Sequence, residues 1–196
     1  MSLPLETFSI HAFRGLKEVE LRNLGRVNIL VGRNNSGKTS VLEALATYAR
    51  PLRPSEWIDV VRRREISNSR SVLLDGLSWI FPRLDSEDSS TSRPREARLS
   101  GDGASQIREV TARLKEIEGF FSDYDMETKS FDETEFDTSG IKRGVQLQLL
   151  SKLEDTQASL FEGAFQEREF TVELWENGRG PVPQNIGEVS IEVSTI

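Results

Sequence analysis

The spacing of apolar positions changes character several times within the first fifty residues. Residues 7–13 (TFSIHAF) alternate polar and apolar, and residues 16–21 (LKEVEL) do so again after an Arg14-Gly15 turn. Each pattern predicts a strand with one buried face. A second turn at residues 23–25 leads into residues 27–31 (VNILV), which are short, β-rich and mostly apolar, the pattern of a buried central strand. Residues 40–50 then switch to helical spacing, with Val41, Leu42, Leu45, Tyr48 and Ala49 on one face, and Pro51 stops the helix.

Beyond the first helix the signals are more scattered. Val72, Leu73, Leu77 and Ile80 share a helical face that Pro82 ends, and residues 83–94 form a serine-rich polar linker. Residues 96–100 lead into Gly101-Asp102-Gly103, a turn of hairpin type. Residues 107–119 fit two periods: Val110, Ala112 and Leu114 alternate as in a strand, while Ile107, Val110, Leu114 and Ile117 fit a helix. The glycine turn favours the hairpin. Residues 145–149 (VQLQL), 170–175 (FTVELW) and 189–196 alternate once more, separated by Asn177-Gly178 and Gly180-Pro181 turns. The expected organisation is a nucleotide-binding segment at 1–50, a helical insert with linker at 51–94, and an antiparallel β-rich lobe at 95–196. That lobe carries an acidic insertion at 122–140. The insertion resembles a calcium loop in charge but lacks the glycine such a loop needs at its sixth position, so a loose solvated segment is expected.

Composition narrows the chemistry. The chain has 196 residues, 36% hydrophobic and 29% charged, with no apolar run long enough to span a bilayer. Its N-terminus lacks the basic start and apolar stretch of a secretory signal, so a cytoplasmic location without membrane attachment is the expectation. No cysteine is present and His11 is the only histidine, which excludes disulfides, thiolate zinc sites and multi-histidine metal sites within the chain. A net charge of −7 argues against a domain that binds nucleic acid through overall charge. Oxygen ligands, lysine, arginine and backbone amides remain, an inventory suited to phosphate and magnesium.

Between the apolar segment at 27–31 and the helix lies Gly32-Arg33-Asn34-Asn35-Ser36-Gly37-Lys38-Thr39, a gapless match to G-x-x-x-x-G-K-[ST]. Each residue has a separate reason. Gly32 and Gly37 permit backbone angles and a close ligand approach that a side chain would obstruct. Amides of residues 34–39 can then point inward around a β-phosphate, where the helix adds its positive dipole end. Lys38 supplies a mobile charge between β- and γ-phosphates, and Thr39 a hydroxyl to Mg²⁺. The predicted ligand is a nucleoside triphosphate, with ATP and Mg²⁺ favoured over GTP. Residues 137–140 (DTSG) match a D-x-x-G element, but no buried strand precedes them and no N-K-x-D guanine reader occurs.

Phe13-Arg14-Gly15-Leu16, the glutamate-containing second strand and the run NILVGRNNSGKTSVLEAL together resemble the N-terminal lobe of ABC-type ATPase heads. Within these the likeness is to the RecF, structural-maintenance-of-chromosomes and OLD-like group of AAA-family ATPases, over residues 5–50. The resemblance implies an α/β P-loop NTPase fold of ABC type with a mostly antiparallel β-subdomain. It also favours the strand reading of residues 107–119. Residues 32–40, through Ser40, would hold the triphosphate, with Lys38 catalytic and Thr39 on the metal. Arg14 matches an arginine that lies close to the nucleotide in relatives; its plain alternative is a solvated turn residue. Two heads sandwiching ATP, each completing the other's site, are implied as the mode of self-association.

The sequence also departs from that family. A signature serine-glycine motif, a switch histidine and an apolar run ending in Asp-Glu are missing. Residues 72–75 (VLLD) come nearest, but Gly76 stands where glutamate is expected, and helix packing accounts better for the segment. Gln146 and Gln148 would be candidates for a magnesium-sensing glutamine, yet an alternating strand more often places such residues on its solvent face. With the strand pattern still running at 189–196, the chain reads as the N-terminal half of a longer ATPase, an incomplete head. Such a half alone is expected to bind nucleotide weakly and hydrolyse it very slowly. Arg50, Arg53, Arg62, Arg63, Arg64 and Arg70 could meet DNA phosphates, or simply form a solvated helical face. Three functions compete: an ATP-driven dimerisation switch in DNA repair, chromosome handling or defence; a nucleotide-sensing scaffold without hydrolysis; and a small phosphotransferase, which would need an arginine-rich lid that is not readable here.

Overall fold

The structure, a computed structural model, describes residues 5–63, 70–82, 95–120, 141–154 and 165–176. Six strands form one sheet in the order β2-β1-β3-β4-β5-β6, antiparallel throughout: β1 (Thr7–Phe13), β2 (Leu16–Leu21), β3 (Arg95–Asp102), β4 (Ile107–Phe120), β5 (Ile141–Glu154) and β6 (Phe165–Trp175). The two strands before the glycine-rich loop therefore share a sheet with those of the third segment, joined where Phe8 pairs with Gly101 and Ile10 with Leu99. Three helices, α1 (Lys38–Ala49), α2 (Pro54–Arg62) and α3 (Arg70–Ser78), complete the described elements.

Alternation decides which face is covered. Phe8 and Ile10 on β1, Ala97 and Leu99 on β3, Val110 and Ala112 on β4, and Leu147 and Leu149 on β5 are fully buried and belong to one core with the helices. Polar partners meet across the strands elsewhere: Arg113 Nε donates to Glu96 at 3.0 Å and Gln148 Nε2 to Glu169 at 2.7 Å. The helical reading of residues 107–119 is thus excluded, because their apolar positions complete a sheet whose neighbours already run at period two. Pro54 opens α2 at its first turn, where a missing amide costs nothing. Trp57 of α2 then fills the space between Phe13 (ring centroids 6.1 Å apart) and Phe81 (5.7 Å, stacked).

Residues 70–78 are helical, as their spacing predicts, and Gly76 has a packing reason. A Cβ there would lie 2.3 Å from Val61 Cγ1, so the glycine lets α3 approach α2 closely. Asp75 faces outward, 61% exposed and 3.5 Å from Arg143.

Two expectations are corrected. Residues 27–31 are not a buried strand. They lie outside the sheet, and Val27, Ile29 and Val31 are 83%, 83% and 87% exposed. Their apolar character needs neighbours on both faces, and none of the described residues supplies them. The buried face of α1 also differs from the one predicted. Val41, Ala44 and Tyr48 are buried together with Glu43 and Thr47, whereas Leu42 is 57% exposed and Ala49 is exposed. The linker at 83–94, the acidic insertion at 122–140 and the last strand pattern at 189–196 lie outside the described residues.

Candidate nucleotide site

The glycine-rich loop spans from the end of the exposed segment to the first turn of α1. Gly37 caps that helix in the left-handed region (φ 87°, ψ 0°), a conformation costly for any residue with a Cβ. A Cβ at Gly37 would also stand 3.0 Å from Leu16 Cδ2, so β2 backs the loop at this point. Asn35 takes a positive φ of 63°, a conformation that asparagine tolerates better than most residues. The loop reverses twice within three residues, and the sequence places its most permissive residues at both reversals.

The first backbone bond of α1 runs from Val41 N to Gly37 O at 3.0 Å. The amides of Lys38, Thr39 and Ser40 precede it and stand outside the helical ladder. No side chain caps this end and no acidic residue occupies the first turn, so nothing negative in that turn competes with an incoming anion. Lys38 fills the loop. Its Nζ donates to the carbonyls of Gly32 (2.7 Å) and Arg33 (2.5 Å) and to Ser36 Oγ (3.3 Å). Gly32 is where a side chain would obstruct this arrangement, because its Cβ would lie 2.8 Å from Ser36 Oγ. All three partners are neutral oxygens, and no carboxylate among the described residues pairs with Lys38. Arg33, Asn34, Asn35, Ser36 and Thr39 are exposed around it, and Ser40 is half-buried.

Arg14 is not a solvated turn residue. It occupies the β1–β2 turn at φ 54°, and its side chain is only 14% exposed. Nε lies 3.4 Å from Glu43 Oε2 of α1, Nη2 donates to the Val60 carbonyl of α2 at 3.3 Å, and its backbone amide donates to Ile80 at 2.7 Å. One residue thus ties the turn to α1, α2 and the end of α3. Sequence reading missed Glu43, which looks like a polar-face residue and is 3% exposed. The signal available was an acid inside an apolar helix, which calls for a cation elsewhere.

The remaining candidates separate. Gln146 and Gln148 sit on β5 in cross-strand hydrogen bonds to Glu173 (3.5 Å) and Glu169 (2.7 Å). In the arginine-rich stretch Arg50 pairs with Glu56 at 2.6 Å and Arg62 lies 3.9 Å from Asp59, while Arg64 lies outside the described residues. No group of three or more potential metal-ligating side chains occurs among the described residues. Among the described residues no helix is long and apolar enough to cross a membrane.

A family model described as an AAA ATPase domain matches residues 4–76. The chain is 26% identical over 133 residues to the DNA replication and repair protein RecF of Rickettsia canadensis, covering 65% of this chain and 37% of that protein. It is 38% identical over 60 residues to RecF of Idiomarina loihiensis, covering 30% and 17%. An uncharacterised protein of Methanocaldococcus jannaschii is 52% identical over 44 residues, 22% of this chain and 20% of that one. The chain therefore spans well under half the length of these relatives. No solved structure gives a significant match. The loop, the helix it opens and the strands before it fall inside the matched region, and over that region the chain is similar to AAA ATPase domains and to RecF.

Proposed function

We propose that residues 32–40 bind ATP with Mg²⁺, and that this chain acts as the N-terminal half of an ATP-hydrolysing head. The observation that carries the reading is Lys38, held by three neutral oxygens beside the open first turn of α1. A triphosphate entering there meets the amides of Lys38, Thr39 and Ser40 and takes the ammonium over from the loop carbonyls. Thr39 would hold the metal through its hydroxyl, and the ion would supply positive charge to screen the phosphates. Lys38 then stabilises charge on the transferred γ-phosphoryl. Arg14 acts from a distance, by fixing α1 through Glu43.

The half-head reading draws support from residues 27–31. An apolar extended segment leading straight into the loop, exposed on both faces, fits a strand whose partners belong to the rest of a larger sheet. The relatives' greater length fits the same view. Pairing of two heads around ATP, and work on DNA as the RecF name suggests, belong to the whole protein in this proposal.

Calorimetric titration tests the central point. Mg·ATP should bind the chain weakly, more strongly than GTP, and Lys38→Ala should abolish the heat while the circular dichroism spectrum stays native. Equal binding by Lys38→Ala would remove the loop from the account. A phosphate-release assay should show turnover close to background; brisk hydrolysis lost in Lys38→Ala would overturn the half-head part alone.

A further inference from the structure

One end of the sheet holds an open cavity of about 800 Å³, and no residue of the phosphate loop lines it. Strand β1 finishes there, β3 and β5 begin there and β4 ends there, so Arg14 and Gly15 of the turn, Arg95, Glu116 and Arg143 all reach its wall. The segment after α3 closes the other side with Trp79, Phe81 and Pro82.

Trp79 is 81% exposed, whereas Trp57 and Trp175 are 0% and 7% exposed. It is not on a loose end. Its amide donates to Gly76 O at 3.1 Å, and it stands between Ser78, whose carbonyl accepts from Arg95 Nη1 at 3.1 Å, and the fully buried Ile80. A large indole on an anchored backbone, exposed at the mouth of a cavity, offers a flat apolar face on which an aromatic partner can stack. Facing it are two ion pairs, Arg95–Glu116 and Arg143–Asp75, both at 3.5 Å. Arg143 and Asp75 are 58% and 61% exposed, so this pair is weak and exchangeable. With Arg14 committed to Glu43, these pairs leave the lining close to neutral. That makes a poor well for a bare anion. It suits a neutral ring with donors and acceptors on its edge, for which guanidinium N–H groups and carboxylate oxygens are complementary partners.

From this we infer that the cavity binds a nucleobase, stacked on Trp79 and read along its edge by the two arginine–carboxylate pairs. The base comes either from a free nucleoside or nucleotide or from a single strand, and stacking on an aromatic platform is common to both. None of residues 32–40 is among those lining the cavity.

Cytidine, which carries no phosphate, is the discriminating probe, with a short oligodeoxycytidylate as the strand arm. Intrinsic fluorescence should show saturable quenching of the one exposed tryptophan by cytidine, insensitive to added salt. Saturation-transfer NMR then tracks cytidine on the variants. Trp79→Phe should keep the signal, Trp79→Ala should weaken binding about tenfold or more, and Lys38→Ala should leave it unchanged. Tighter binding of the oligonucleotide than of cytidine identifies a strand as the source, and equal binding per base a free nucleoside. Absence of saturable cytidine binding, full binding by Trp79→Ala, or loss of binding in Lys38→Ala would each overturn the inference. The last outcome would leave the phosphate-loop reading intact, and failure of Mg·ATP binding with cytidine binding retained would do the reverse.

Discussion

Arg14 and Glu43 form an ion pair at 3.4 Å between a strand turn and the helix that the phosphate loop opens, with side chains 14% and 4% exposed. Removing one partner from such a pair leaves the other charged in a poorly solvated place, which costs far more than the pair contributes over an apolar substitute. Glu43→Ala should therefore lower unfolding free energy by about 3 kcal/mol, read as a shift of the urea midpoint at unchanged slope. Glu43→Gln, which keeps shape and hydrogen-bonding capacity, should cost clearly less. An unchanged midpoint for Glu43→Ala would show that water already serves Arg14.

Gly37→Ala tests the loop's backbone. At φ 87° a Cβ is strained by about 1–2 kcal/mol, and Leu16 Cδ2 blocks the space at 3.0 Å. A matching loss of stability is expected, together with loss of Mg·ATP binding in calorimetry. Leu16→Ala should restore part of the stability and little of the binding, since it frees space without relaxing the dihedral.

Gly76 offers a sharper contrast between local and tertiary preference. Alanine improves helix propensity by about 1 kcal/mol, yet its Cβ would sit 2.3 Å from Val61 Cγ1. Overpacking of this kind costs about 1–3 kcal/mol, so Gly76→Ala should be net destabilising in thermal melts. Val61→Ala in the same chain should reverse the sign.

Tyr48 sets an alkaline limit. Its hydroxyl donates to the Ile107 carbonyl, and burial pushes its pKa up from 10.0 to about 12. The raised value means that its contribution is fully present below pH 10 and is lost as pH climbs towards 12. Across that window stability should fall by up to about 1.4 kcal/mol per pH unit. Urea melts from about pH 9 to about pH 11.5 check this, and Tyr48→Phe should flatten the profile.

How much of the molecule is legible in its sequence depends on how local each signal is. The glycine-rich motif is legible because it is written in contiguous residues, Gly32 to Thr39, and the helix it leads into follows directly. Strands β1 and β2 are legible because alternation is written in adjacent residues. The pairing of β1 with β3 is not, since it joins Ile10 to Leu99 across everything between them. Glu43 escapes for a similar reason: its partner sits on another element, and helical spacing alone cannot place an acid next to a buried arginine. Residues 27–31 mislead in the opposite direction. Their apolar pattern is real, but burial is a property of neighbours, and the described residues offer them none. Trp79 draws no attention because a single tryptophan near a helix end looks like core.

The exposed run at 27–31 also decides what any nucleotide titration of this chain measures. If the loop binds a triphosphate as proposed, only the fraction of arrangements with both of its ends correctly spaced would grip it, and the exposed segment before it makes no sheet contact that would select them. The measured constant is the intrinsic one divided by that fraction. Whatever clamps Val27, Ile29 and Val31 into a sheet therefore acts as an affinity amplifier without ever touching the phosphates.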